Sequence, residues 1–116
     1  MESQAAVAAL SALAHPGRLE VFRLLVRAGE SGMAAGEIAR TVGMPPNSLS
    51  TNLNILAGAG LARSRRSGRT VIYTAAYERM SELLAFLIED CCAGSSDVCA
   101  PLSGIVAQAS CSAKAC

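Results

Sequence analysis

A chain of 116 residues is long enough for one domain with a single modest core. Hydrophobic residues make up 52% of the chain and aromatic residues only 3%, so we expect a mainly helical protein rich in alanine and leucine. No stretch is long and apolar enough to span a membrane, and the N-terminus lacks the basic start of a signal peptide. We therefore expect a cytoplasmic protein without a membrane partner.

Charge and cysteine are distributed unevenly along the chain. Residues 61–79 carry five Arg against one Glu, a net charge of +4, although the whole chain carries only +1. A compact basic segment in a nearly neutral protein favours a focused contact with phosphate groups. All five cysteines fall in the last 26 residues. This odd count, without a signal peptide, favours reduced thiols that serve metal binding or redox chemistry.

The order of predicted elements is typical of a winged helix-turn-helix domain. Apolar spacing predicts helices over residues 4–14, 16–28, 35–42, 46–57 and 77–93. Two extended runs, 61–66 and 69–75, predict a β-hairpin that turns at Ser67-Gly68. In the second helix, we expect the buried face to consist of Leu19, Phe22, Leu25 and Val26. The fold class is thus mainly α with a small β-hairpin, with a domain over 1–93 and a cysteine-containing tail over 94–116.

The fourth helix has the character of a DNA recognition helix. Its apolar stripe is Leu49, Leu53 and Leu56, and we assign to the opposite face Asn47, Ser48, Ser50, Thr51, Asn52 and Asn54. These short side chains are poor helix formers but can hydrogen-bond to base edges, and the free N–H groups of the helix N-terminus favour a phosphate. We expect the hairpin to contact DNA through Arg63, Arg65, Arg66 and Arg69. The alternative is an ordinary solvated face and a charged hairpin.

A single unit of this kind presents little surface to DNA, so we expect a homodimer on two half-sites about one helical turn apart. The predicted dimer interface consists of Val7, Leu10, Leu13, Met80, Leu83, Leu84, Leu87 and Ile88. The alternative is that these side chains pack only within their own subunit.

A segment near the N-terminus supports this interpretation. Residues 12–19, which read ALAHPGRL, resemble the opening of the ArsR/SmtB metalloregulatory repressors. The resemblance extends over roughly residues 5–92, through segments 22–25, 36–39, 48–56, 59–61 and 69–73. It implies a homodimeric winged-helix repressor that leaves its operator DNA when an inducer binds. The chain departs from the family at Asn52, where many members have His.

The resemblance also implies an inducer. The third helix lacks the cysteines that bind arsenic or cadmium in many relatives, and the last helix lacks the His and Asp pairs of zinc-sensing members. The remaining candidates, Cys91, Cys92 and Cys99, resemble an arsenic-responsive subgroup with a Cys-Cys pair and a third Cys in the following loop. Trivalent arsenic, As(III), is thiophilic and takes three sulfurs. No constitutive cofactor is expected.

Other inducers and one other class of protein remain open. Antimonite or a methylated trivalent arsenical could replace arsenite, and Cys111 or Cys116 could complete a four-sulfur site for zinc or cadmium. The same thiols could instead form a redox or persulfide switch. A thiol enzyme such as an arsenate reductase is disfavoured because no cysteine lies in a Cys-x-x-Cys motif or a phosphate loop. His15, the only His, precedes Pro16 and is expected to cap a helix or contact the core.

Overall fold

The computed structural model of the chain describes residues 1–88. The helices are α1 (Ser3–Leu13), α2 (Pro16–Ala28), α3 (Ala35–Val42), α4 (Pro46–Gly58) and α5 (Tyr77–Ile88). The strands are β1 (Met33–Ala34), β2 (Ala62–Ser67) and β3 (Thr70–Ala75), with a 3-10 turn at Gly29–Ser31. All five predicted helices and the hairpin are confirmed. The predicted end of α5 at residue 93 and the tail over 94–116 lie outside the described residues. Among the helices described, none combines the length and apolarity needed to cross a bilayer.

The sheet has three antiparallel strands in the order β1-β3-β2. Strand β1 was not predicted, because two residues are too short for a periodic pattern; it places Met33 opposite Tyr73. In the hairpin, Ser67 pairs with Thr70, so the turn lies at Gly68-Arg69, one residue later than predicted. The hairpin formed by β2 and β3 is the wing.

The core of residues 1–83, which form one compact unit, lies between the helices and the sheet. Its fully buried large side chains are Val21, Leu25, Ile38, Leu49, Leu53, Leu56 and Leu61. Each contributes about 1.5–3 kcal/mol by leaving water. Helix α1 contributes only the alanines at positions 6, 9 and 12. The prediction that Leu19 is buried is wrong, because its side chain is 43% exposed and Val21 takes the inward position one-half turn further along α2.

A two-residue junction, Ala14-His15, joins α1 to α2. The His15 imidazole Nδ1 accepts hydrogen bonds from the backbone N–H groups of Gly17 at 3.1 Å and Arg18 at 3.4 Å, which caps the N-terminus of α2. The Arg18 guanidinium reaches back to α1, where its Nε donates to the Ala12 carbonyl at 2.6 Å and its Nη2 to the Ser11 carbonyl at 3.3 Å. The segment therefore satisfies donors of one helix and acceptors of the other. The expectation that His15 is a local cap is confirmed.

Two glycines that flank the 3-10 turn offer a matched test of how β1 is held. Gly29 (φ 76°, ψ −163°) and Gly32 (φ 71°, ψ −167°) have nearly the same backbone conformation. A Cβ at Gly29 meets nothing within 4 Å, whereas a Cβ at Gly32 overlaps the Tyr73 carbonyl oxygen and lies 2.7 Å from the Thr74 methyl. Only Gly32 therefore allows the chain to approach β3 this closely.

We expect Gly29→Ala to cost about 1–3 kcal/mol of unfolding free energy from backbone strain alone. Gly32→Ala should cost a further ~1–3 kcal/mol, because the added methyl group must displace β3. Urea unfolding of both variants at one protein concentration measures the difference. Equal losses would contradict the close approach of residue 32 to β3.

Candidate nucleic-acid interface

Helix α4 turns a neutral, polar face toward solvent. Its leucines at positions 49, 53 and 56 are at most 2% exposed, which fixes the rotation of the helix against α2 and α3. The side chains of Asn47, Ser48, Ser50, Thr51 and Asn54 are exposed. Residues four and three apart share a helix face, so Asn47, Thr51 and Asn54 form the centre of this surface. The structure thus brings together five of the six predicted residues of the recognition helix.

Asn52 departs from the prediction. Its side chain is only 8% exposed, and its Nδ2 donates a hydrogen bond to the Met44 thioether Sδ at 3.2 Å. The assignment of Asn52 to the exposed reading face is therefore wrong. Asn52 lies three residues after Leu49 and four before Leu56, so helical geometry alone places it on the buried side. Its contact holds the turn between α3 and α4.

An open hollow lies beside the first turns of α4. It has a volume of about 510 Å³ and is lined by His15, Val42, Gly43, Met44, Pro45, Ser48, Thr51 and Asn52. The N-cap residue of α4 is Pro45, whose side chain offers no hydrogen-bond acceptor to the helix. The hollow thus adjoins a helix terminus that no side chain in the described part of the chain caps. No sequence pattern predicts this hollow, because its lining comes from three separate segments.

The four wing arginines divide into two pairs. At the stem, Arg63 forms an ion pair with Glu78 in the first turn of α5, and Arg65 Nη2 donates to the Ser31 carbonyl at 2.9 Å. Near the tip, Arg66 and Arg69 are exposed, and within residues 1–88 neither side chain has a hydrogen-bond or ion-pair partner. The stem pair therefore fastens the wing to the body, and the tip pair is available to phosphate.

Glu78 is the one described group whose pKa is clearly displaced. The pKa of its carboxyl lies below the usual value, first because Arg63 donates a hydrogen bond to the carboxylate and then because the guanidinium charge is close. The side chains are 62% and 66% exposed, so water and salt screen much of the attraction. The pair orients the wing more than it stabilises the fold.

The predicted dimer residues fall into three groups by exposure. Four apolar side chains remain exposed: Val7 (64%), Leu10 (42%), Leu84 (46%) and Leu87 (51%). Leu13, Met80 and Ile88 are half-buried. Leu83 is only 4% exposed in the single chain, so little of its surface is left for a dimer contact. It packs within its own subunit.

The predicted inducer ligands Cys91, Cys92 and Cys99 lie outside the described residues. Within residues 1–88, no group of three or more His, Cys, Asp or Glu side chains is placed to hold a metal ion.

Comparison with known proteins identifies the family. A model of the helix-turn-helix domain matches residues 13–65, from the end of α1 into the wing. The HTH-type transcriptional regulator YgaV of Escherichia coli is 31% identical over 85 residues, which cover 73% of this chain and 84% of YgaV. The chain belongs to the HTH-type transcriptional regulators. Its relatives are named as regulators rather than enzymes, in agreement with the sequence analysis.

Two further comparisons concern the sequence and the fold. The uncharacterized HTH-type regulator Rv0081 of Mycobacterium tuberculosis is 39% identical over 74 residues, but the match spans only 62% of its length and 63% of this chain. A homodimeric winged helix-turn-helix DNA-binding domain from Mycobacterium bovis, described as a possible ArsR-family regulator, superposes with a TM-score of 0.62. That domain is 32% identical, and the match covers 72% of this chain and 75% of the domain. The winged helix-turn-helix prediction is confirmed.

The division of the wing arginines predicts two kinds of DNA-binding defect. We expect the double variant Arg66→Ala/Arg69→Ala to weaken binding to all sequences and to reduce the slope of log affinity against log salt by roughly 0.9 per lost phosphate contact. Arg65→Ala should weaken binding while leaving the slope unchanged, because its side chain holds the wing to Ser31. Fluorescence anisotropy at several salt concentrations measures both. A slope that falls equally in Arg65→Ala would contradict this division.

The Arg63–Glu78 pair predicts a pH effect of defined sign. Since the pKa of Glu78 is lowered in the folded protein, its stabilisation is present above the pKa of an unfolded Glu, about 4.3, and is lost as pH falls through the folded pKa. We expect Arg63→Ala to return the pKa of Glu78 toward the usual value in an NMR titration. Arg66→Ala, whose side chain lies on the other face of β2, is the control and should leave it unchanged. An unaltered Glu78 titration in Arg63→Ala would refute the ion pair.

Proposed function

We propose that this regulator is a transcriptional repressor that binds operator DNA as a homodimer and is released when As(III) binds its cysteine thiolates. The observation that carries the DNA-binding part is the exposed, charge-free polar face of α4 next to a wing whose two tip arginines have no partner within residues 1–88. Neutral amides and hydroxyls discriminate base edges, whereas arginines at the wing tip supply sequence-independent attraction to phosphate.

The reading surface consists of the α4 side chains that the fold leaves exposed. Asn47 and Asn54 can each make a bidentate hydrogen-bond pair with adenine in the major groove. Thr51 donates its hydroxyl proton to the Asn47 carbonyl at 3.2 Å, so its methyl group and its oxygen lone pairs remain available to bases. Asn52 does not read bases in this proposal; it holds Met44 and so the angle at which α4 is presented.

A second copy of this chain would cover the exposed apolar side chains of α1. Val7 and Leu10 point away from a core face that is made only of alanine. Leu84 and Leu87 of α5 are exposed as well. Surfaces of this kind mark protein–protein contacts, and a two-fold dimer would present two copies of α4 to DNA. The homodimeric domain from M. bovis supports the same assembly.

The inducer part of the proposal rests on the chemistry of the donor set. Arsenite, As(OH)₃, would exchange three hydroxyls for the sulfurs of Cys91, Cys92 and Cys99, forming three As–S bonds and releasing three waters, each made from one departing hydroxyl and one thiol proton. Soft thiolates select such a thiophilic centre, and three donors match its pyramidal geometry. These cysteines follow α5 in the sequence, three residues and more beyond Ile88.

The first turn of α5 is held to both α2 and the wing. Tyr77 Oη donates to the Val26 carbonyl at 3.0 Å in the last turn of α2, and Glu78 pairs with Arg63 of the wing. A displacement of α5 would therefore act on both α2 and the wing. A coupling of only about 1–3 kcal/mol suffices to release DNA, and DNA must weaken arsenic binding by the same factor.

Fluorescence anisotropy of the reduced protein on a duplex from its own promoter tests the proposal. We expect arsenite to weaken DNA binding by roughly 5- to 150-fold, whereas zinc should have little effect. Cys91→Ser, Cys92→Ser and Cys99→Ser should each keep DNA binding and abolish the response, and Cys111→Ser, the matched control, should respond normally.

Each part of the proposal can fail separately. DNA binding that ignores arsenite would refute the inducer and keep the reading surface. Release by peroxide or by zinc alone would replace arsenic with a redox or divalent-metal signal. A duplex that the protein does not bind at all would refute the repressor assignment.

A further inference from the structure

The His15 imidazole has one ring nitrogen that the fold uses and one that it leaves free. Nδ1 accepts the two backbone N–H groups at the start of α2, at 3.1 and 3.4 Å. A ring nitrogen that accepts carries no proton, so the neutral imidazole bears its proton on Nε2. Within residues 1–88 this Nε2–H has no hydrogen-bond partner, and the side chain is exposed. The cap therefore fixes His15 as an outward hydrogen-bond donor.

Among the described residues, those that line the hollow beside α4 supply hydrogen-bond donors and no carboxylate. Of its polar lining groups, Thr51 gives its proton to the Asn47 carbonyl, and Asn52 directs its amide to Met44. His15 and Ser48 are left as side-chain donors without a partner in the part of the chain that is described. A Cβ at Gly17 would lie 3.0 Å from the Met44 methyl and 3.2 Å from His15 Cε1. Glycine at position 17 therefore leaves room for the imidazole and the Met44 side chain beside the start of α2.

We propose that this hollow seats one phosphate of the DNA backbone, with His15 Nε2–H and Ser48 Oγ–H donating to its non-bridging oxygens. The inference rests on the proposed function, because it adds a contact outside α4 and the wing to the same interface. His15 thus has two tasks: it caps α2 through Nδ1 and donates a hydrogen bond to the DNA backbone through Nε2. Such a contact fixes the register of the recognition helix on the duplex and reads no sequence.

The form of the hollow favours a phosphate within a polymer over a small free anion. Sites for small ligands enclose most of the ligand surface, whereas this hollow is broadly open and continuous with the exposed face of α4 at Ser48 and Thr51. Its two side-chain donors are neutral, and no Lys or Arg of residues 1–88 lines it. Two hydrogen bonds without a countercharge hold a free anion weakly in water, but they position one that the wing arginines have already brought close.

His15→Asn separates the two tasks. Asn is a good N-cap, so α2 should stay capped and the urea midpoint should remain near that of the wild type, but the short side chain lacks the Nε2 donor. We expect about 10-fold weaker DNA binding, the size of one hydrogen bond to a charged acceptor. The salt slope should stay nearly unchanged, because the lost group is uncharged. Ser48→Ala, which leaves the cap untouched, is the second variant and should show the same behaviour.

The decisive experiment removes the charge from one phosphate at a time. A set of duplexes, each with one neutral methylphosphonate, is bound to wild type and to His15→Asn. One position per half-site should weaken the wild type by about 10-fold and weaken His15→Asn clearly less, because in that variant only the Ser48 contact is left to lose. Positions contacted by the wing should weaken both proteins equally, which provides the internal control.

The outcomes separate this inference from the proposed function. One outcome is that the wild type binds the duplex while no methylphosphonate position affects it more than the His15 and Ser48 variants. In that case the proposed phosphate contact is wrong and the repressor proposal stands. If inorganic phosphate shifts the His15 ring resonances of the DNA-free protein at millimolar concentration and no position couples, the hollow is a small-anion site instead. If the wild type binds no duplex, both the proposed function and the proposed phosphate contact are refuted.

Discussion

The burial of one apolar stripe on α4 is the constraint on which the interface depends. Leu49, Leu53 and Leu56 are almost completely removed from water, and together they contribute several kcal/mol. Rotating α4 by even one residue would expose leucine and bury hydroxyls or amides without partners, so the helix has one permitted rotation. That rotation decides which polar side chains face solvent. It also carries Asn52 inward, against the sulfur of Met44.

Around this fixed helix, several polar side chains hold the framework while their neighbours stay free. His15 and Arg18 join α1 to α2, and Arg63 and Arg65 join the wing to the body. In each case the anchoring contact leaves a nearby donor exposed: Nε2 of the same imidazole, or the arginines near the wing tip. The rigid positions and the available groups are therefore close in sequence but distinct in geometry.

The sequence predicts the helices well because long apolar periods and proline or glycine boundaries are local signals. It misses β1, whose two residues pair only because Gly32 allows close contact with β3. Residue type groups Asn52 with the exposed polar residues of α4, although its helical position places it on the buried side. It also treats the four wing arginines alike, since their partners at Ser31 and Glu78 lie far apart along the chain. No local sequence pattern predicts the hollow, because residues from three separate segments line it.

The separation of stem and tip in the wing has an evolutionary consequence. Substitutions near the tip touch neither the core nor the exposed face of α4, so they can raise or lower the overall grip on DNA without altering the preferred base sequence. A change at the stem instead alters the pose of the whole hairpin. Substitutions at the two wing-tip positions would thus be enough to adjust how fully a promoter is occupied. Selection for DNA affinity and selection for the preferred base sequence would then act on different residues.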